Sequence, residues 1–217
     1  MILNNKTKRI IVYIVGLLIL ALGLTLNTKA SLGVSPIISV PYSISQITGL
    51  NFGDLTFIEY ALFVFVEIMI HLGEKNKKKI VADLLQLPLS LAFTRLLNIF
   101  SACIPTSSNF LVQLLILVLA IICTGIGAAM SLSMQLVPNP GDGIVQALAG
   151  KFNKSVGLTK NMFDCLSVCI TLCISLIFAH TILGIGIGTV IAVLGVGRVI
   201  ALFHHMFESQ IIELVQG

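Results

Sequence analysis

The chain has no tryptophan, and only 10% of its 217 residues are charged. A water-soluble domain carries about 25% charged residues. With 57% hydrophobic residues, a core of this size could not hide so much apolar surface, so a soluble fold is excluded and lipid is the expected solvent. Catalytic signatures are missing too: no nucleophile elbow, HExxH or CxxC occurs, and the histidines are few and peripheral. Neither an enzyme nor a cofactor is expected. Five cysteines, an odd number, argue against a disulfide framework. Cys165, Cys169 and Cys173 fall at i, i+4, i+8 on one helix face. Soft thiolates there could hold Cu(I) or Zn, with Met130 and Met134, but buried packing is the stronger expectation and no metal site is assigned. The net charge of +4 would suggest nucleic acid in a soluble protein. Here the lysines cluster between apolar runs, which makes membrane topology the better explanation.

What is present is a series of apolar runs, at about 10–30, 54–72, 79–100, 110–131, 157–180 and 184–203. Each is long enough to span a bilayer core of about 30 Å as a helix. Residues 1–9 followed by Ile10–Leu26 resemble a signal peptide, but no convincing small-x-small cleavage pattern follows, so the segment is read as an uncleaved first span. Between the spans lie two short segments introduced by Ser35-Pro36 and Asn139-Pro140. Ser or Asn at the N-cap with Pro at the first helical position is a helix-start signature. The helices that follow, 36–48 and 140–152, reach only about 18–20 Å and cannot cross. The expected fold is therefore all-α, with six transmembrane helices and two re-entrant half-helices.

Residues 104 apart coincide at the punctuation: Gly23 with Gly127, Leu32 with Leu136, Pro36 with Pro140, Gly53 with Gly157, Leu62 with Leu166. This is how an internal repeat shows itself. Repeat 1 is placed at about 8–104, repeat 2 at about 110–205, and 206–217 is read as a short amphipathic cytoplasmic tail of a single membrane domain. Charge orients the halves. Lys6, Lys8 and Arg9, the basic loop around Lys75–Lys79, and Lys151, Lys154 and Lys160 all fall inside if the short helices turn back. Three full spans per half then invert the second repeat, with both termini cytoplasmic.

In this arrangement both half-helices aim their N-termini at the membrane midplane, a setting that suits an anion or a carbonyl-bearing solute. Candidate residues along the path are Ser35, Pro36, Asn139, Pro140, Asp142, Lys160, Asp164, Glu59, Lys29 and Thr189. Asp142 either caps the N–H groups or meets a cation or proton. Lys160 and Asp164, one turn apart, either neutralise each other or serve coupling or gating. Arg95 and Arg198 are expected to snorkel to the interface. Glu67 and His71 are placed near the cytoplasmic end of the second span, in reach of water. The run Gly184–Gly188 lacks the context of a phosphate loop and reads as a close-packed helix surface.

Ala21-Leu22-Gly23 followed by Lys29-Ala30-Ser31-Leu32-Gly33-Val34-Ser35-Pro36 resembles the first-half motif of the YczE/YyaS/YitT-type bacterial integral membrane proteins. Pro140-Gly141-Asp142-Gly143, Lys160 with Phe163-Asp164, Gly186-Ile187-Gly188-Thr189 and Gly197 resemble it as well. The resemblance implies a cofactor-free protein of a bacterial plasma membrane. Many such relatives carry Trp-Asp after the first-half proline, where this chain has Ile37-Ile38. The leading functional expectation is a transporter or channel-like facilitator of a small polar solute. The alternatives are a substrate-binding subunit for an ATPase-energised complex and a non-transporting scaffold; a homo-oligomer is compatible with each.

Overall fold

The computed structural model describes residues 4–216; the first residues of the leader-like segment and the last of the tail lie outside them. The regular structure among the described residues is all helical, with no strand. In chain order they form α1 (Asn5–Lys29), a 3-10 turn (Pro36–Ile38), α2 (Ser39–Thr48), α3 (Phe52–Gly73), α4 (Lys77–Cys103), α5 (Phe110–Ser133), α6 (Pro140–Phe152), α7 (Val156–Ala179) and α8 (Ile187–Gln216). Six of them, α1, α3, α4, α5, α7 and the Ile187–Phe207 part of α8, are long and apolar enough to cross a membrane. The six spans match the six apolar runs, and α2 and α6 are the two short segments. A kink at Phe207 (φ −120°, ψ 15°) divides α8 into two helical segments, close to the expected start of the tail.

The chain divides into two compact units. The first joins Met1–Ser35, Ile99–Leu136 and Gly186–Gly217, as far as these are described, and the second joins Pro36–Asn98 with Val137–Ile185. In the first, α1 and α5 pack closely and antiparallel. Gly16 lies opposite Met130, Leu20 opposite Gly127, and Gly23 opposite Thr124. Helices in lipid gain little from apolar burial against each other, so close backbone approach through small residues takes its place. A Cβ on Gly23 would sit 2.4 Å from the Thr124 nitrogen, and one on Gly127 2.3 Å from the Leu20 nitrogen. α8 closes on α5 around Ala30, Leu117, Ile121 and Ala192. The glycine run holds the loop after α1: Gly188 N–H donates to the Leu32 carbonyl (2.7 Å), and Gly33 (φ +105°) lies against Gly186 and Thr189. Gly186 and Gly188 thus pack closely, but Gly184 and Gly186 precede α8 rather than lying on it, and Gly197, expected to share the surface, has nothing within 4 Å of an added Cβ.

In the second unit α3 and α4 are joined by polar side chains along their length. At one end Gly53 N–H donates to Asn98 (3.1 Å) and half-exposed Arg95 pairs with Asp54 (2.7 Å). At the other end Glu67 meets Gln86 and His71 meets Asp83. The buried stripe Gly53, Thr56, Tyr60, Val64, Glu67, His71 follows helical spacing and is largely polar, whereas Ile58, Leu62, Phe65, Met69 and Leu72 face outward. The cysteines also depart from expectation. Cys103, Cys165, Cys169 and Cys173 are exposed and Cys123 is half-buried, because the inner face of α7 is taken by Asp164, Ser167, Thr171 and Ser175. Among the described residues no group of three or more His, Cys, Asp or Glu is placed to hold a metal ion.

The α1–α5 seam makes a direct prediction. Gly23→Leu or Gly127→Leu is expected to cost at least 1–3 kcal/mol, the range for overpacking, read as a lowered apparent Tm of the detergent-purified protein. Gly197→Ala, where an added Cβ meets nothing within 4 Å, is expected to stay within about 0.5 kcal/mol of wild type.

Candidate functional site

The second short helix starts as the sequence dictates. Asn139 is the N-cap of α6 and its side chain accepts from Gly141 N–H (3.1 Å). Pro140 at N1 lacks the N–H that would be orphaned there. The Asn139 carbonyl accepts from Asp142 and Gly143 N–H (both 2.8 Å). The first short helix differs from expectation. Ser35 does not cap it; its N–H is taken by the Asn27 side chain, so the chain enters through the 3-10 turn and α2 follows without a side-chain cap. Ser39 stabilises that entry instead, its hydroxyl bonding the Pro36 carbonyl (2.7 Å) and pairing with the Thr171 hydroxyl (2.7 Å).

The two starts meet. The Ile37 side chain packs on Gly141, where an added Cβ would fall 2.8 Å from Ile37 Cγ1. The Tyr60 hydroxyl, near the middle of α3, lies within hydrogen-bond reach of the Asn139 side chain, and Gly143 lies against Glu67, further along α3. α6 therefore runs beside the second half of α3. α2 runs beside the first half: Tyr42 stacks edge-on against Phe52 at 6.1 Å, and Pro41 and Ile44 share a cleft with Leu55 and Ile58. The same division holds on α7, where Lys160 and Asp164 near its start lie in electrostatic reach of Asp142 on α6 and Thr171 further on meets Ser39. Two short helices thus cover α3 and α7 end to end, with their amino ends at mid-length.

Around this meeting point the polar inventory is mostly acidic. Asp164 is 8% exposed and forms an ion pair with Lys160, so the i,i+4 pair exists. Half-buried Glu59 lines the cleft between α2, α3 and α7, which has a volume of about 290 Å³ and otherwise mostly apolar walls; its enclosed Oε2 has no partner among the described residues. Deeper along α3, Glu67 and Gln86 are each 1% exposed. This overturns the expectation that Glu67 and His71 reach water. His71 (5% exposed) donates from Nδ1 to Asp83 Oδ2 (2.6 Å), and Asp83 is itself 3% exposed. The sequence signal was available: Glu67 and His71 are four apart and continue the Gly53–Thr56–Tyr60–Val64 stripe. Of the remaining candidates, Pro36 and Pro140 are buried at the two starts. Ser35, Lys29 at the end of α1, and Thr189, which accepts from Gly186 N–H (3.2 Å), belong to the other compact unit.

Six membrane-length helices with two short ones seated among buried polar side chains describe a multi-pass membrane protein, and the sequence comparisons agree. Residues 7–205 match the model of a family of unknown function, DUF6198, and the chain belongs to that family. It is similar to the uncharacterized membrane protein YczE of Bacillus subtilis (strain 168), with 26% identity over 192 residues, covering 87% of this chain and 81% of that protein. No solved structure matches it.

Lys160→Ala leaves Asp164 enclosed without its cation. The expected cost is about 1–3 kcal/mol, the penalty for stranding a buried polar group, measured as a fall in apparent Tm in detergent. Lys160→Met combined with Asp164→Leu is expected to recover part of it, because the pair is then replaced by apolar groups rather than broken.

Proposed function

We propose that this membrane protein passes a small polar solute through the region where the amino ends of α2 and α6 meet, as a carrier or channel-like facilitator. The contact of Ile37 with Gly141 is the observation that carries the reading. Short helices that begin within the bilayer are tolerated only where protein or a wet cavity satisfies the starting backbone, and such starts form the binding sites of transporters built from inverted repeats. Three contacts support the repeat. Ile37 and Gly141 are 104 residues apart and touch each other. The Ser39–Thr171 bond becomes the Gly143–Glu67 contact when each residue is exchanged for its counterpart. Gly23 on Thr124 likewise becomes Gly127 on Leu20.

The chemistry of the solute follows from charge. Glu67, Asp83, Asp142 and Asp164 gather near α6 and Glu59 lines the cleft between α2, α3 and α7, against Lys160 and His71. Helix N-termini alone would favour an anion, but Glu59, Asp83, Asp142 and Asp164 outnumber Lys160 and His71 there. A cation or a neutral hydrogen-bond donor is therefore the better fit, with Asp142, Pro36, Asn139, Pro140, Glu59 and the Lys160–Asp164 pair along its path.

Two measurements test this. In a cysteine-free background, single cysteines at Asn51, Lys75, Ser107 and Asn153 are to be labelled with a membrane-impermeant maleimide in whole cells. Re-entry of both short helices requires label at 51 and 107 and protection at 75 and 153; label on the same side at 51 and 75 rejects it. In proteoliposomes, uptake of a panel of ammonium, small amines, urea, glycerol, acetate and phosphate is expected to exceed protein-free controls for a cationic or neutral member. Asp142→Asn should lower that uptake at least tenfold. Flux at the control level for the whole panel counts against transport, and uptake confined to acetate or phosphate overturns the charge argument.

A further inference from the structure

The Glu67–Gln86 pair is incomplete as it stands. Gln86 Nε2 donates to Glu67 Oε2 at 2.7 Å. The other two oxygens, Glu67 Oε1 and Gln86 Oε1, are enclosed and have no partner among the described residues. Both approach the same place: a Cβ added to Gly143 would lie 2.9 Å from Glu67 Oε1 and 3.0 Å from Gln86 Oε1. Two buried acceptors side by side with no donor cost about 1–3 kcal/mol each, and a buried carboxylate without a cation costs more. Asp83 is within hydrogen-bond reach of Glu67, but it is engaged by His71 and brings no donor of its own. A second full negative charge beside it has no further cation to balance it among the described residues of this corner.

One hydrogen atom removes the whole difficulty. If Glu67 is a carboxylic acid, its O–H donates from Oε1 to Gln86 Oε1 while Gln86 Nε2 donates to Oε2, and acid and amide close a ring of two complementary hydrogen bonds. We propose that Glu67 is a proton-binding site, its proton held against Gln86 beneath the Gly143 backbone of α6. The other ionisable groups facing it are Asp83 and His71 on α4 and α3; α6 contributes the bare Cα of Gly143. Because α6 forms the lid of the pair, the proton is enclosed while α6 is seated and meets water when it withdraws. That consequence rests on the transport reading. The proton site itself rests on the geometry of the pair.

Infrared difference spectroscopy of the purified protein in lipid nanodiscs near neutral pH tests the site without any solute. Wild type minus Glu67→Gln is expected to show a protonated-carboxyl C=O band that shifts in D₂O. Glu67→Gln, which can reproduce both hydrogen bonds as an amide, is expected to keep the wild-type apparent Tm. Gln86→Leu should move the band to higher frequency by removing its hydrogen-bond partners. Gly143→Ala should move it too, since its methyl would press on both oxygens. Only carboxylate bands in the wild-type difference overturn the proposal. So does a carboxylate band that moves on adding sodium or potassium, which would make the ligand a metal cation. A band that survives Glu67→Gln and disappears in Asp83→Asn also overturns it, by placing the proton on the neighbour. Absence of flux in proteoliposomes, with the Glu67 band present, would defeat the transport reading and leave the proton site standing.

Discussion

A helix that begins inside hydrocarbon must find partners for its first N–H groups, because lipid offers none. In the re-entrant arrangement we propose, that requirement shapes the second compact unit. α6 meets it with Asn139, whose side chain and carbonyl take up the Gly141, Asp142 and Gly143 N–H groups. α2 meets it by another route, with a 3-10 entry and Ser39 tied to the Pro36 carbonyl and to Thr171. Each solution recruits polar groups from a neighbouring long helix, and those helices must then turn polar faces inward.

This explains why α3 and α7 are inside out by the standards of a soluble bundle. Their buried stripes carry Thr56, Tyr60, Glu67 and His71, and Asp164, Ser167, Thr171 and Ser175, while leucine, isoleucine and phenylalanine cover the outside. Apolar residues gain nothing by leaving lipid for the interior, whereas polar ones lose their partners if they stay in lipid. α1 and α5 follow the other available rule and approach through glycine.

The long helices were legible from length and apolar content, and α6 was legible to the residue because Asn139-Pro140 is a strong local start signal. Ser35-Pro36 carries the same signal but was overridden, since Asn27 from the end of α1 captures the Ser35 N–H; no local pattern reveals a partner eight residues back. The inward facing of Glu67 and His71 was hidden for a different reason. Their position near a span end fits solvent contact equally well, and only the continuing stripe from Gly53 to Val64 separates the two cases. The outward cysteines were misjudged because thiols are usually buried in water-soluble folds, a preference that weakens where the outside is itself apolar.

Chemistry in such a molecule belongs where its two halves differ. At the 104-residue offset of the proposed repeat, Asp142 corresponds to Ile38, fully buried and apolar, and Glu67 corresponds to Thr171, whose hydroxyl pairs with that of Ser39. One half therefore closes its short helix with neutral hydroxyls that need nothing further. The other seats its short helix against Glu67 and near Asp164, and one Glu67 oxygen has no donor among the described residues. Packing alone would be served as well by a second Ser–Thr pair in place of Gly143 and Glu67. Keeping a buried acid there costs stability, and that cost falls on the α6 side of the unit, rather than the α2 side, where we propose the proton site.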